Sequence, residues 1–166
     1  MFLTTSIFCS NSSSITHTSS HIHTYIHTKI MTDVAAEKNG AVVVSASCHD
    51  AEHPPQFIID GNDRSFWTTT GLYPQEFVIQ LSESNVQITR MKTLTTNVRR
   101  IVVERSEAVA ATNWEKVYET EIPYADGHLQ VENGQFQRVS ASYLKFKIMS
   151  GWDDFATVHK VTIEAK

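Results

Sequence analysis

The sequence predicts an all-β domain of the jelly-roll β-sandwich class, on three observations. From Gly40 onward the apolar residues recur with a period of two. Turn-forming residues interrupt that alternation roughly every ten residues. No segment sustains a helical apolar stripe for more than a turn or two. Alternation on most segments means that each sheet has one buried face and one wet face, the condition for two sheets packed against each other.

The elements follow in chain order. "AVVVSAS" (41–47) is rich in β-branched residues and reads as a strand. Pro54-Pro55 opens a single helical turn through Ile59, since proline is preorganised for a first turn. "EFVIQL" (76–81) places Phe77, Ile79 and Leu81 on one face. "VQITRMKTLTT" (86–96), "RIVVERS" (100–106) and "WEKVYETEI" (114–122) continue the pattern. "HLQVENGQFQRV" (128–139) holds Asn133-Gly134 between strand-like arms and predicts a hairpin there. "SYLKFKIMS" (142–150) turns Leu144, Phe146 and Ile148 inward and leaves Lys145 and Lys147 wet. "TVHKVTIEA" (157–165) is the last strand, and the terminal segments are expected to pair. There are no internal repeats, and the body (31–166) is expected to be one domain.

The first thirty residues differ in kind. They contain no Asp, Glu, Gly or Pro; 13 are Ser or Thr, and four of the chain's eight histidines fall among them. This composition reads as a disordered, low-complexity extension (1–30), because it offers too little to bury. It lacks the basic start and unbroken apolar stretch of a signal peptide. His21, His23 and His27 have a spacing that could gather a transition metal. The sharper expectation is that Met31 is the true start and that the tract lies outside the native protein.

Charge and cysteine usage narrow the function. The net charge is −4, from 14 basic and 18 acidic residues, with no like-charge block to mark nucleic acid or an anionic membrane as partner. No apolar run reaches the ~20 residues of a membrane-spanning helix. The two cysteines, Cys9 and Cys48, fit neither a disulfide framework nor a metal spacing. Nucleophile-elbow, zinc-protease and phosphate-loop motifs are all missing. Cys48-His49-Asp50 alternate across a strand and cannot pair as nucleophile and base. Asp153-Asp154, beside Trp152 and Phe155, reads better as a solvated loop than as an acid pair on a sugar platform. His159, inside a strand, reads as a hydrogen-bonded structural residue. The expectation is a protein that is not an enzyme, whose exposed sheet face, bearing Tyr118 and Tyr124, receives a partner.

One loop is richer in oxygen than a turn requires. "IIDGNDRSFWTTTG" joins Asp60, Asn62, Asp63, Ser65 and three threonines around a glycine that tolerates positive φ. Two readings stand: a tight turn in which Asp60 accepts local backbone N–H groups, or part of an oxygen shell for Ca²⁺, which takes six to eight oxygens at ~2.4 Å. In the second, Glu164 of the last strand is a candidate to complete the shell.

The string D-G-N-x-x-S-F-W, at Asp60, Gly61, Asn62, Ser65 and Trp67, resembles the motif of the discoidin, or coagulation-factor type C, family, with Ser65 where threonine is usual. "HPPQFIIDGN", "FWTTTGLYPQEFVI" and "SYLKFKIMSGWDDFATVHKV" are more narrowly similar to the intraflagellar transport protein 25 branch of that family. The resemblance implies a galactose-binding-domain-like jelly roll with a structural Ca²⁺. Its ligands would be the carboxylates of Asp60 and Glu164, the Ser65 hydroxyl, and main-chain oxygens near Phe57, Asn62 and Thr157–His159. Trp67 would be the core anchor of the loop. It further implies a ciliary or flagellar and cytoplasmic transport subunit. The partners would be a Rab-like small GTPase, intraflagellar transport protein 27, and other subunits of transport complex B. A calcium-dependent glycan- or lipid-binding module is the alternative that the wider family implies.

Overall fold

The computed structural model describes residues 32–166. The expectations for the first thirty residues, including the histidines at 21, 23 and 27, lie outside them.

Among the described residues, nine strands form two antiparallel sheets. They are β1 (Val42–Ala46), β2 (Trp67–Thr68), β3 (Gln75–Gln80), β4 (Val86–Thr96), β5 (Val98–Ser106), β6 (Glu115–Glu121), β7 (Gln130–Ala141), β8 (Tyr143–Gly151) and β9 (Thr157–Ala165). One sheet runs β1-β3-β8-β5-β6 and the other β2-β9-β4-β7. The eight segments foreseen from the periodicity are all present. The ninth, β2, is two residues long, too short for alternation to reveal. A 3-10 turn, Pro55–Ile58, stands where the proline pair predicts it.

Inward residues of both sheets build one core. Phe77 of β3 stacks on its cross-strand partner Phe146 of β8 at 4.9 Å between centroids, and Trp67 meets Phe77 edge-on at 5.5 Å. Ile79, Leu144, Ile148, Ile101, Met91 and Ile163 are buried around them. Such offset and edge contacts suit the aromatic quadrupole and add to the burial itself. The two ends of the described body meet as expected. Asp33 bridges Glu164, the Val34 N–H donates to the Ile163 carbonyl at 2.9 Å, and the Asp33 carboxylate accepts the Ile163 N–H at 2.9 Å.

A buried amide ties the two sheets together. Gln130, on β7, accepts the Val98 N–H at 3.0 Å and donates to the Val98 carbonyl at 2.9 Å and the Pro123 carbonyl at 2.8 Å. It thereby pairs both main-chain groups of Val98, at the start of β5, from the opposite sheet. A fully satisfied buried amide fixes geometry without the penalty of an unpaired polar group.

The hairpin expected at Asn133-Gly134 does not form; both lie inside β7, paired across to Lys92 and Met91 of β4. The glycine serves a close approach instead. A Cβ there would meet the Met91 Cε at 3.1 Å and the Tyr118 ring at 3.2 Å. Turn propensity is overridden by the need for a flat, side-chain-free floor under an aromatic ring.

Tyr118 also corrects the expected partner face. Its ring turns toward the interior, edge-on to Phe136 at 6.1 Å, and its hydroxyl donates to Glu132. Burial, reinforced by that carboxylate, pushes its hydroxyl pKa up to about 12. Tyr124 is exposed as expected, tilted against Trp152 at 5.8 Å, with the Arg99 guanidinium 4.9 Å over the Trp152 ring.

Candidate functional site

The oxygen-rich loop runs from the 3-10 turn to β2 and is anchored at both ends. Ile58 and Ile59 are buried before it. After it, Trp67 is wholly buried and its indole N–H donates to the Cys48 carbonyl at 3.1 Å. Between these anchors Asp60 to Arg64 are exposed. Gly61 has φ +81°, a conformation that side chains disfavour, which brings the chain back on itself. The turn closes through side chains: Asp60 Oδ1 accepts the Asn62 N–H at 2.8 Å, and Asn62 Oδ1 accepts the Arg64 N–H at 3.1 Å. The Ser65 hydroxyl lies 2.6 Å from Asp60 Oδ2 and donates to it. These are the local Asx bonds of a tight turn.

Strand β9 covers the loop from the other sheet position. Leu94 pairs with Lys160 and Thr95 with Val158, so β9 carries one extra residue, His159, against β4. This bulge puts Val158 and Val161 both into the core and frees His159 and Lys160 to reach the loop. The Asp63 carbonyl is 3.1 Å from His159 Nδ1 and can only accept, so the imidazole carries its proton on Nδ1. His53, Phe66 and His159 stack in sequence, at 4.0 Å and 5.1 Å between centroids. The Lys160 ammonium donates to the Asp63 carboxylate at 2.8 Å and to the Gly61 carbonyl at 3.3 Å. That ammonium, helped by Lys92 and His159, holds the Asp63 carboxyl below its ordinary value of 3.8. A depressed carboxylate stabilises the fold above its unfolded pKa, and the contribution is lost as pH falls through the folded one.

The structure therefore brings together Asp60, Asn62 and Ser65 of the sequence-predicted set, with the Phe57 turn adjoining them. Glu164, on β9, bridges Asp33. Its carboxylate is 3.5 Å from the Arg90 guanidinium, and its Oε2 is buried with no hydrogen-bond partner. Among the described residues no three His, Cys, Asp or Glu side chains converge in metal-holding geometry. Asp60 supplies one carboxylate of the expected shell, and the Lys160 ammonium reaches the same loop.

Two of the three threonines have other duties. Thr68 pairs with Thr157, and buried Thr69 exchanges bonds with Ala156: its N–H donates to the Ala156 carbonyl at 3.0 Å, and its hydroxyl accepts the Ala156 N–H at 2.9 Å. Asp153 and Asp154 sit exposed, bonded locally. Beside them Leu72, Tyr73 and Phe155 line an open cleft. Sequence reasoning missed Lys160, His53 and Phe66. The spacing of Val158 and Val161, three apart in a period-two strand, was the available sign of the bulge that delivers Lys160.

The two sheets, the closed ends and the D-G-N loop are those of an F5/8 type C domain, and residues 42–161 match that family. Among curated proteins, intraflagellar transport protein 25 of Chlamydomonas reinhardtii is 43% identical over 133 residues, 80% of this chain and 69% of its own length. The Homo sapiens homolog of intraflagellar transport protein 25 is 38% identical over 132 residues, 80% of this chain and 91% of its own. The chain thus belongs to the intraflagellar transport protein 25 family, within the F5/8 type C class. Solved structures share the fold at low identity. A family 32 carbohydrate-binding module from Clostridium perfringens NanJ, in complex with galactose, superposes with TM-score 0.67 at 16% identity, over 81% of this chain and 99% of its own. Another from Clostridium perfringens, in complex with GalNAc-β-1,3-galactose, gives 0.65 at 20%, over 80% and 99%.

Proposed function

We propose that this chain is a non-enzymatic subunit of intraflagellar transport complex B, working in the cilium or flagellum and the cytoplasm as a heterodimer with a Rab-like small GTPase. The observation that carries this reading is the 43% and 38% identity to proteins named intraflagellar transport protein 25, spread over 80% of the chain. The D-G-N loop, in this account, is a structural fastening between β2 and β9, and a protein partner takes a sheet face or the Tyr124–Trp152 end.

The test is affinity purification of the tagged chain from ciliated cells. A small GTPase and further transport subunits copurify in stoichiometric amounts; their absence overturns the proposal. A second reading, calcium-dependent glycan binding, is favoured by the cleft at Leu72, Tyr73 and Phe155, which offers apolar faces beside the Asp154 carboxylate. Glycan-array binding that depends on Ca²⁺, with no GTPase recovered, would select it.

A further inference from the structure

The bulged pair His159-Lys160 closes the D-G-N loop with a positive charge from the chain itself. Three observations converge on Lys160. Its ammonium bonds one carboxylate and one carbonyl of the loop, Asp63 Oδ1 and the Gly61 oxygen, at 2.8 and 3.3 Å. Its side chain is 26% exposed, so the charge sits largely sheltered against the turn while the Asp63 side chain stays 59% exposed. The cleft it lines also carries Asp60, of the same loop as Asp63, and Asp33 from a second segment. Lys38 shares that cleft but is exposed.

We propose that Lys160 is the resident cation of this loop, taking the place that a divalent ion would fill. The physical argument is one of like demands. A loop with a carbonyl turned inward by Gly61 and carboxylates at Asp60 and Asp63 needs positive charge to hold its oxygens together. A hard divalent ion meets that need with six or more oxygens. An ammonium meets it with three donors and no coordination shell. A bulge in β9 is what brings the amine there, since strict alternation would turn either His159 or Lys160 into the core. With the ammonium in place, a second cation is repelled by it and loses the Gly61 and Asp63 oxygens as ligands. The loop is therefore fastened at any calcium concentration, and its stability is a property of the chain.

The experiment measures thermal unfolding of the wild-type chain, Lys160→Met and Lys160→Arg, each in 1 mM EDTA and in ~1 mM CaCl₂, a concentration that saturates a micromolar site. Expected results are a wild-type midpoint the same in both solutions and a Lys160→Met midpoint lowered by a few degrees in EDTA. Calcium then recovers part of that loss, because the vacated oxygens accept the ion. Lys160→Arg keeps the charge and stays calcium-independent. A wild-type midpoint that rises by ~5 °C or more with calcium overturns the proposal, since the loop then takes a metal despite the ammonium. So does a Lys160→Met protein that melts like wild type. A Lys160→Met protein that is destabilised but indifferent to calcium makes Lys160 an ordinary ion pair, and also overturns it. None of these outcomes bears on GTPase recovery, so the two proposals fail separately.

Discussion

Trp67 is the residue whose removal tests the loop-to-core argument most sharply. Its side chain is wholly buried between the sheets, edge-on to Phe77, and its indole N–H satisfies the Cys48 carbonyl at 3.1 Å. Truncation to alanine in a packed core costs about 3–5 kcal/mol. Leaving the Cys48 carbonyl without its donor adds about 1 kcal/mol, for a total of roughly 4–6. A domain of this size has an unfolding entropy of about 0.3 kcal/mol per degree near its midpoint, so Trp67→Ala lowers Tm by roughly 12–20 °C. Trp67→Phe keeps the apolar contact with Phe77 and loses the hydrogen bond and some volume, and so falls about 2 kcal/mol, or ~6 °C, below wild type. Urea unfolding followed by circular dichroism reads both. A Trp67→Ala protein within ~1 kcal/mol of wild type would refute the claim that this residue anchors the loop.

Further expectations follow from the same contacts. Gln130→Leu strands both main-chain groups of Val98 and the Pro123 carbonyl, and costs about 2–4 kcal/mol by urea denaturation; an isostable variant would show that the amide clasp does not join the sheets. Tyr118 has its folded pKa raised to about 12. Its contribution is complete below the unfolded value near 10 and is lost as pH rises through about 12, so wild type weakens across that alkaline window and Tyr118→Phe weakens less. At the acid end, Asp63→Asn flattens the loss of stability below the ordinary carboxylate value of 3.8, and an unchanged acid limb would argue against the Lys160 pair. Gly134→Val drives a side chain into Met91 and Tyr118 and destabilises by about 1–3 kcal/mol, measured as a shift in urea midpoint.

How much of this was legible beforehand depends on what each residue responds to. Strands with a wet and a dry face write their period directly into the sequence, and Leu144, Phe146 and Ile148 lie inward as that period requires. Trp67 was readable as an anchor because a large aromatic following a polar turn has little else to do in a sandwich. Gly134 misled, because Asn-Gly reports what a chain can do locally, and the Tyr118 ring above it is set by another strand. Tyr118 misled for the same reason: alternation assigns a face, but an edge strand such as β6 can curl its aromatic under the neighbouring sheet. At the loop, Asp60, Asn62 and Ser65 act through bonds within five residues and so were recoverable. Lys160 acts across 97 residues and arrives through a bulge, which only the interval between Val158 and Val161 hints at.

The central claim is that this fold serves a protein partner in intraflagellar transport. Its most direct measurement is the mass of the chain coexpressed with the Rab-like transport GTPase of the same organism, by size-exclusion chromatography with light scattering. A single peak at the mass of a one-to-one heterodimer, persisting through dilution to nanomolar concentration, is the predicted result. Two separate monomer peaks at every concentration and nucleotide state would contradict it.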